Sequence, residues 1–260
     1  MRDRILFAST ILAMLAAPER AAAHHAMEYI EIESYSTARK GEFVYHLHYD
    51  YMVDDAERPE FDHWELTPGV SYGITSRLMF DLHTHFAKFG TGHLAGYDAR
   101  YDPLGPSPFM EAAAGCFQYR LTEGWPVELA VAAGFEIPFA RAKDLLGSED
   151  FGWSGLLIAS RTFEDHSNIT LNICHEREGD EGETFWAIGG KRPLTGDSHG
   201  FAAGVEIMGS FEETGDNWSV LPGFYMPLGS QAITLKSGIE LGKGGGADIL
   251  RSNVTLMYRF

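Results

Sequence analysis

Cysteine is nearly absent: Cys116 and Cys174 are the only two in 260 residues. Two cysteines allow one bridge at most, which rules out a disulfide-built scaffold. Long apolar runs are missing as well. After residue 23 no stretch approaches 18 consecutive apolar residues, so helical membrane spans are excluded. Strand spans are not, because each needs only about 9–11 residues with one apolar face. Basic residues are scarce, with 20 Lys and Arg against 37 Asp and Glu. An acidic chain repels a phosphate backbone, which excludes DNA and RNA as partners.

The single apolar run, 5–17, lies at the start. Arg2 and Arg4 precede it, and Ala21-Ala22-Ala23 follow it. Basic head, short apolar middle and small residues before a cut form the order of a secretory signal. Residues 1–23 are therefore expected to be removed. That leaves 24–40 as a short periplasmic N-terminal segment, containing the alternating Tyr29-Ile30-Glu31-Ile32-Glu33, and 41–260 as the folded domain. The processed chain keeps 17 basic against 35 acidic residues, a net charge of about −18.

What the domain has is alternation. In FVYHLHYDY, residues 43–51, Phe43, Tyr45, Leu47, Tyr49 and Tyr51 fall on one side and Val44, His46, His48 and Asp50 on the other. Successive side chains of a strand point to opposite faces. Similar segments recur at about 61–73, 77–88, 109–121, 125–136, 151–163, 168–177, 183–192, 200–212, 217–226, 231–241 and 248–260, which with 41–53 makes twelve. The pattern weakens in the middle. Residues 151–160 carry apolar side chains on both faces, and 183–192 is short and glycine-rich. Tight links such as 74–76, 122–124 and 164–167 alternate with longer ones at 54–60, 89–108, 137–150 and 242–247. Aromatic residues gather toward strand ends, among them Trp64, Tyr72, Trp125, Phe135, Trp153, Trp218 and Phe224. Alternation, unequal rims and interfacial aromatics together predict an all-β, transmembrane antiparallel β-barrel of 12 strands. A soluble sandwich also alternates, but its strands are typically about 5–6 residues long.

The ending Val254-Thr255-Leu256-Met257-Tyr258-Arg259-Phe260 resembles the assembly signal of Gram-negative outer-membrane β-barrels, with Tyr258 and Phe260 as its aromatic elements. Gly69-Val70-Ser71-Tyr72-Gly73-Ile74-Thr75 is similar to turn-in sequences of the same superfamily. More loosely the chain resembles the transporters grouped with phenol-degradation (MetA-type) pathways. The resemblance implies a cell outer-membrane location with both mature termini periplasmic. It also implies contact with outer-membrane lipid, lipopolysaccharide and the barrel assembly machinery, and uptake of small solutes, aromatic ones among them.

If the aromatic face meets lipid, the reverse face lines the lumen. The first three strands then present His46, His48, Asp50, His63, Glu65, Asp81, His83 and His85 inward. Neutral imidazole and carboxylate ligate divalent transition metals. The candidate metal residues are His46, His48, His83 and His85, with His24 and His25 at the processed end. The competing reading is a polar lining in which histidines and acids bond one another. Cys116 and Cys174 both fall inward on the fourth and seventh strands, so a bridge would have to cross the lumen.

Catalytic patterns are weak. Ser71, His63 and Asp50 or Asp81 supply the residue types of a hydrolase triad without fixing their geometry. Gly242-Lys243-Gly244-Gly245-Gly246 lacks phosphate-loop spacing and reads as a hairpin loop. The function expected is an outer-membrane channel or transporter for small cationic or neutral solutes, and not an enzyme. The alternatives are a metal-binding or structural outer-membrane protein without transport, and a lipid-modifying enzyme.

Overall fold

Eleven residues of strict alternation at 43–53 leave one face apolar, and a lone strand cannot satisfy its own backbone. In lipid the only solution for strands is a closed ring. The computed structural model describes residues 29–53, 62–89, 109–139, 151–195, 200–211, 217–228, 233–244 and 247–260, and it shows that ring. The strands are β1 Phe43–Val53, β2 His63–Gly73, β3 Leu78–Phe89, β4 Phe109–Arg120, β5 Glu128–Pro138 and β6 Gly152–Thr162. They continue as β7 Asn168–Glu178, β8 Glu181–Pro193, β9 Ala202–Ser210, β10 Trp218–Pro227, β11 Ile233–Gly244 and β12 Ala247–Arg259. Each pairs antiparallel with its sequence neighbours, and β1 pairs with β12 to close a 12-strand barrel.

The seam joins the two ends of the domain. The Phe43 amide donates to the Phe260 carbonyl at 3.1 Å, and the Phe260 amide returns a bond to the Phe43 carbonyl at 3.1 Å. Outside the seam the Phe260 ring stacks on Phe43 and Tyr45, with centroids 5.7 and 5.2 Å away. The terminal phenylalanine thus fixes the register of β12 on β1 from both backbone and ring.

Burial is inverted relative to a soluble protein. Tyr45, Leu47, Leu82, Phe117, Trp153, Leu157, Trp218, Phe224, Leu256 and Tyr258 are exposed on the outside. Asp50, Gln118, Asn168, Thr170, Lys191, Glu206, Lys236 and Asn253 are buried on the inside. Water-soluble folds bury the first class and expose the second. A continuous apolar exterior of this kind suits a bilayer, and the fold is that of a transmembrane barrel.

The two rims differ. The rim that carries Phe43 and Phe260 is called the terminal rim here, and its links are 74–77, 121–127, 163–167, 194–201 and 228–232. The far rim holds the three longest links, 54–62, 90–108 and 139–151, yet also two very short ones, 179–180 and 245–246. Residues 242–247 are therefore not the loop expected from their glycines: β11 runs to Gly244 and β12 begins at Ala247. Trp125 lies in the 121–127 link rather than in a strand, and β8 is a full 13-residue strand rather than a short one.

Residues 29–40 depart most from expectation. They do not form a tether outside the barrel. They run through the terminal-rim half of the lumen as a plug, and leave it through a turn at 39–42. There the Gly41 amide donates to the Gly73 carbonyl at 2.8 Å. Gly41 has a φ of 82°, a left-handed conformation that a side chain would strain.

Candidate functional site

The plug explains why alternation failed in the middle of the chain. Tyr35 of the plug is buried against Ala130 of β5 and Ile158 of β6, with Leu156 beside them. The inward apolar residues of β6 are the floor of that contact. On the opposite wall Tyr29, Ile30 and Ile32 pack with Ala202, Leu221 and Tyr225. A Cβ at Gly189 would lie 2.6 Å from the Tyr29 ring, so this glycine of β8 makes room for that side chain.

Polar contacts hold the plug more specifically. Glu206 on β9 is 0% exposed, and an isolated buried carboxylate would be very costly. It is not isolated: the backbone amides of Ile30, Glu31 and Ile32 donate to it at 2.7, 2.9 and 2.9 Å. The Tyr225 hydroxyl adds a fourth donor at 2.8 Å. Three consecutive amides converging on one carboxylate form an anion-binding concavity of backbone. Nearby, Lys236 Nζ donates to the Tyr29 carbonyl at 2.7 Å, and the Tyr29 hydroxyl donates to Asn168 Oδ1 at 2.7 Å. Lys191 Nζ sits over the Tyr29 and Tyr225 rings, 5.0 and 5.2 Å from their centroids. Across the lumen Gln118 Nε2 donates to the carbonyl of Ser34 at 2.8 Å, and the Ala38 amide meets Met79 Sδ at 3.2 Å.

Glu31 ties the plug to the histidine wall. Asn253 Nδ2 donates to its Oε1 at 2.6 Å, and His48 Nε2 lies 3.4 Å from the same oxygen. Burial alone would raise the Glu31 carboxyl. The bond and charge of His48, the Arg251 charge and the Asn253 bond outweigh it, so its pKa falls below the ordinary range.

The eight residues singled out in β1–β3 separate by register. His46 stands opposite Gly69, and Gly69 stands opposite His83; Ser71 faces Asp81. This brings His46, Asp81 and His83 together. His83 Nδ1 is 2.7 Å from Asp81 Oδ1, His46 Nε2 is 3.4 Å from Asp81 Oδ2, and the His46 and His83 rings meet edge to face at 6.2 Å. A second group joins Glu31, His48 and Asp50, with His48 Nε2 at 2.8 Å from Asp50 Oδ2 and its Nδ1 at 2.6 Å from Thr255 Oγ1. His85 touches the His83 ring at 5.1 Å, and its Nδ1 lies 3.3 Å from Thr67 Oγ1. His63 and Glu65 pair at 3.6 Å near the far rim. His48 and His85 therefore do not join His46 and His83 around one centre. His24 and His25 lie outside the described residues. Cys116 and Cys174 are both free thiols. Ser71 and His63 occupy opposite ends of β2, and the Ser71 hydroxyl donates to Asp81 Oδ2 at 2.6 Å, so no hydrolase triad is assembled from them.

The far-rim half of the lumen is acidic. The β3–β4 ladder shifts by one residue between His85 and Phe86, a bulge that falls at Glu111. A bulge re-aims the side chain it displaces. Glu111 here feels the charges of Glu65 and Glu136, and Glu136 those of Glu176 and Glu178. Arg251 answers part of this charge, 3.6 Å from Glu240.

Sequence reasoning missed Glu206, Tyr225, Lys236, Asn168 and Gln118. Their one shared signal was a polar or aromatic residue at an inward position, which does not distinguish a plug contact from general lining.

No protein-family model and no curated protein matches the sequence. Solved structures do match. The outer-membrane channel of the COG4313 group from Pseudomonas putida F1 superposes with a TM-score of 0.62 at 12% identity, over 89% of this chain and 100% of that one. The KdgM porin gives a TM-score of 0.54 at 10% identity, over 83% of this chain and 99% of that one. These likenesses establish the fold alone: a closed antiparallel β-barrel of the kind seen in those two proteins.

Proposed function

We propose that this barrel is an outer-membrane channel for small cationic or neutral solutes, closed at rest by its own residues 29–40. The observation that carries the reading is the lumen's two-part construction. Carboxylates Glu65, Glu111, Glu136, Glu176 and Glu178 share one half, and a plug held by separable hydrogen bonds fills the other. A wall of one sign concentrates the opposite sign and excludes its own. Twelve strands enclose a lumen wider than an eight-stranded core and narrower than a porin channel. The descriptions of the two solved barrels as a channel and a porin support transport.

The long far-rim links support an orientation with the terminal rim in the periplasm. In that placement the exterior contacts outer-membrane lipid and lipopolysaccharide, and the Tyr258–Phe260 end is the part offered to the barrel assembly machinery. A second reading, a structural or binding protein without transport, draws on the plug itself. Liposome swelling and single-channel recording on the pure protein separate the two. Openings with cation preference support the channel. A protein that stays silent, and whose lumen also stays silent without its plug, supports the second reading; lipid hydrolysis by the pure protein would favour an enzyme instead.

A further inference from the structure

We propose that His46, Asp81 and His83 form a binding site for a divalent transition-metal ion on the lumenal wall, spanning β1 to β3. One ligand atom from each residue lies within 4.8 Å of the other two. His46 Nε2 and Asp81 Oδ2 are 3.4 Å apart. Two ligands of a tetrahedral zinc ion, with bonds of about 2.0–2.1 Å, are separated by about 3.3–3.4 Å. The set is two imidazoles and one carboxylate, the borderline donors that suit zinc, copper or nickel.

Gly69 makes the arrangement feasible. It stands between His46 and His83 on the intervening strand. A Cβ at that position would fall 1.8 Å from His46 Nε2 and 2.8 Å from His83 Cβ. The two rings therefore reach across β2 only because it has no side chain there. Ser71 holds Asp81 from the same strand through its 2.6 Å bond to Oδ2. Such outer contacts orient ligating carboxylates. The side chains of His46, Asp81 and His83 keep 25%, 13% and 24% of their exposure, while His46 Nε2 itself is covered. For an ion to bind through His83 Nδ1, the hydrogen bond from that atom to Asp81 Oδ1 opens and its proton passes to Nε2 or to water.

The neighbouring group of Glu31, His48 and Asp50 is less suited. Both His48 ring nitrogens already have partners within the wall, Thr255 and Asp50. Glu31 is committed to Asn253 and the plug. The proposed site does not depend on whether the barrel conducts.

The test is titration of the detergent-folded full chain carrying His24→Ala and His25→Ala, which removes the terminal histidine pair. Zn²⁺ is followed by chelator competition, and Cu²⁺ by electron paramagnetic resonance, near pH 7.5. One equivalent should bind tighter than about 100 μM, with two imidazole nitrogens in the copper spectrum. Asp81→Asn should weaken binding roughly 100-fold or more, and Ser71→Ala about 10- to 100-fold. Gly69→Ala should act like loss of a ligand, whereas His175→Ala, on the outer face, should change nothing. Heat-modifiable migration on gels verifies that each variant is folded. Binding weaker than the threshold, fewer than two nitrogens on copper, or a folded Asp81→Asn that binds like its parent would each overturn the site. The copper spectrum of the parent decides alone if the variants do not fold.

Discussion

The two halves of this lumen are built from similar residues and solve the same problem differently. Polar groups enclosed by a barrel wall must find partners or keep water. In the terminal-rim half the partners come from the chain itself: Glu206, Gln118 and Lys236 bond the backbone of residues 29–36. In the far-rim half, among the described residues, Glu111 on β4, Glu136 on β5 and Glu178 on β7 lie near enough for their charges to act on one another. One half holds a segment of the chain. The other gathers like charges. A lumen of uniform-looking polarity can therefore contain both a seal and a vestibule.

The largest test of this difference is deletion of residues 24–40. The barrel should still assemble, since its strands and seam are complete without them, and planar-bilayer recordings should change from rare openings to a persistent open level. Current unchanged by the deletion would mean that the seal lies elsewhere. Next in size is Glu206→Gln. It removes the charge that three amides converge on, and a hydrogen bond to a charged group contributes about 1.5–3 kcal/mol. The variant should conduct much as the truncated chain does, with residues 29–40 cleaved by an added protease that spares the parent.

The vestibule should respond more modestly. Glu111→Gln combined with Glu136→Gln should reduce cation-over-anion preference a few-fold in the truncated chain, read from reversal potentials in a salt gradient. Smallest is the response to acid through Glu31. Its folded pKa is lowered, so docking gains from its ionised form above the ordinary carboxylate value of 4.5 and loses that gain as pH falls below it. Openings of the full chain should become more frequent as pH falls below 4.5. Glu31→Gln should show the higher frequency already at neutral pH and lose that acid response.

Sequence alone carried the wall of this molecule further than its contents. The Phe43–Tyr51 alternation and the Val254–Phe260 ending reported strand, facing and closure, because a lipid exterior forces every second side chain to be apolar. The signal thinned at Leu156, Ile158 and Gly189, where the inner face meets Tyr35 and Tyr29 instead of water. The plug itself was illegible. Tyr29-Ile30-Glu31-Ile32 alternates like a short strand, and nothing local announces that its amides converge on a carboxylate some 175 residues later. The histidine wall was legible as composition but not as geometry. Its division into two groups depends on Gly69 and on which residues stand opposite, and register is a property of pairs of strands.

The plug's contacts also bear on the order in which the molecule is made. Its bonds join residues 139 positions apart at Tyr29–Asn168 and 222 apart at Glu31–Asn253. Contacts so distant in the chain are among the last that a growing or collapsing polypeptide can form. Yet they lie inside a ring whose final stitch is Phe43 to Phe260. Residues 29–40 thus lie within the ring that the Phe43–Phe260 seam closes, held by bonds that span about as much of the chain as the seam itself.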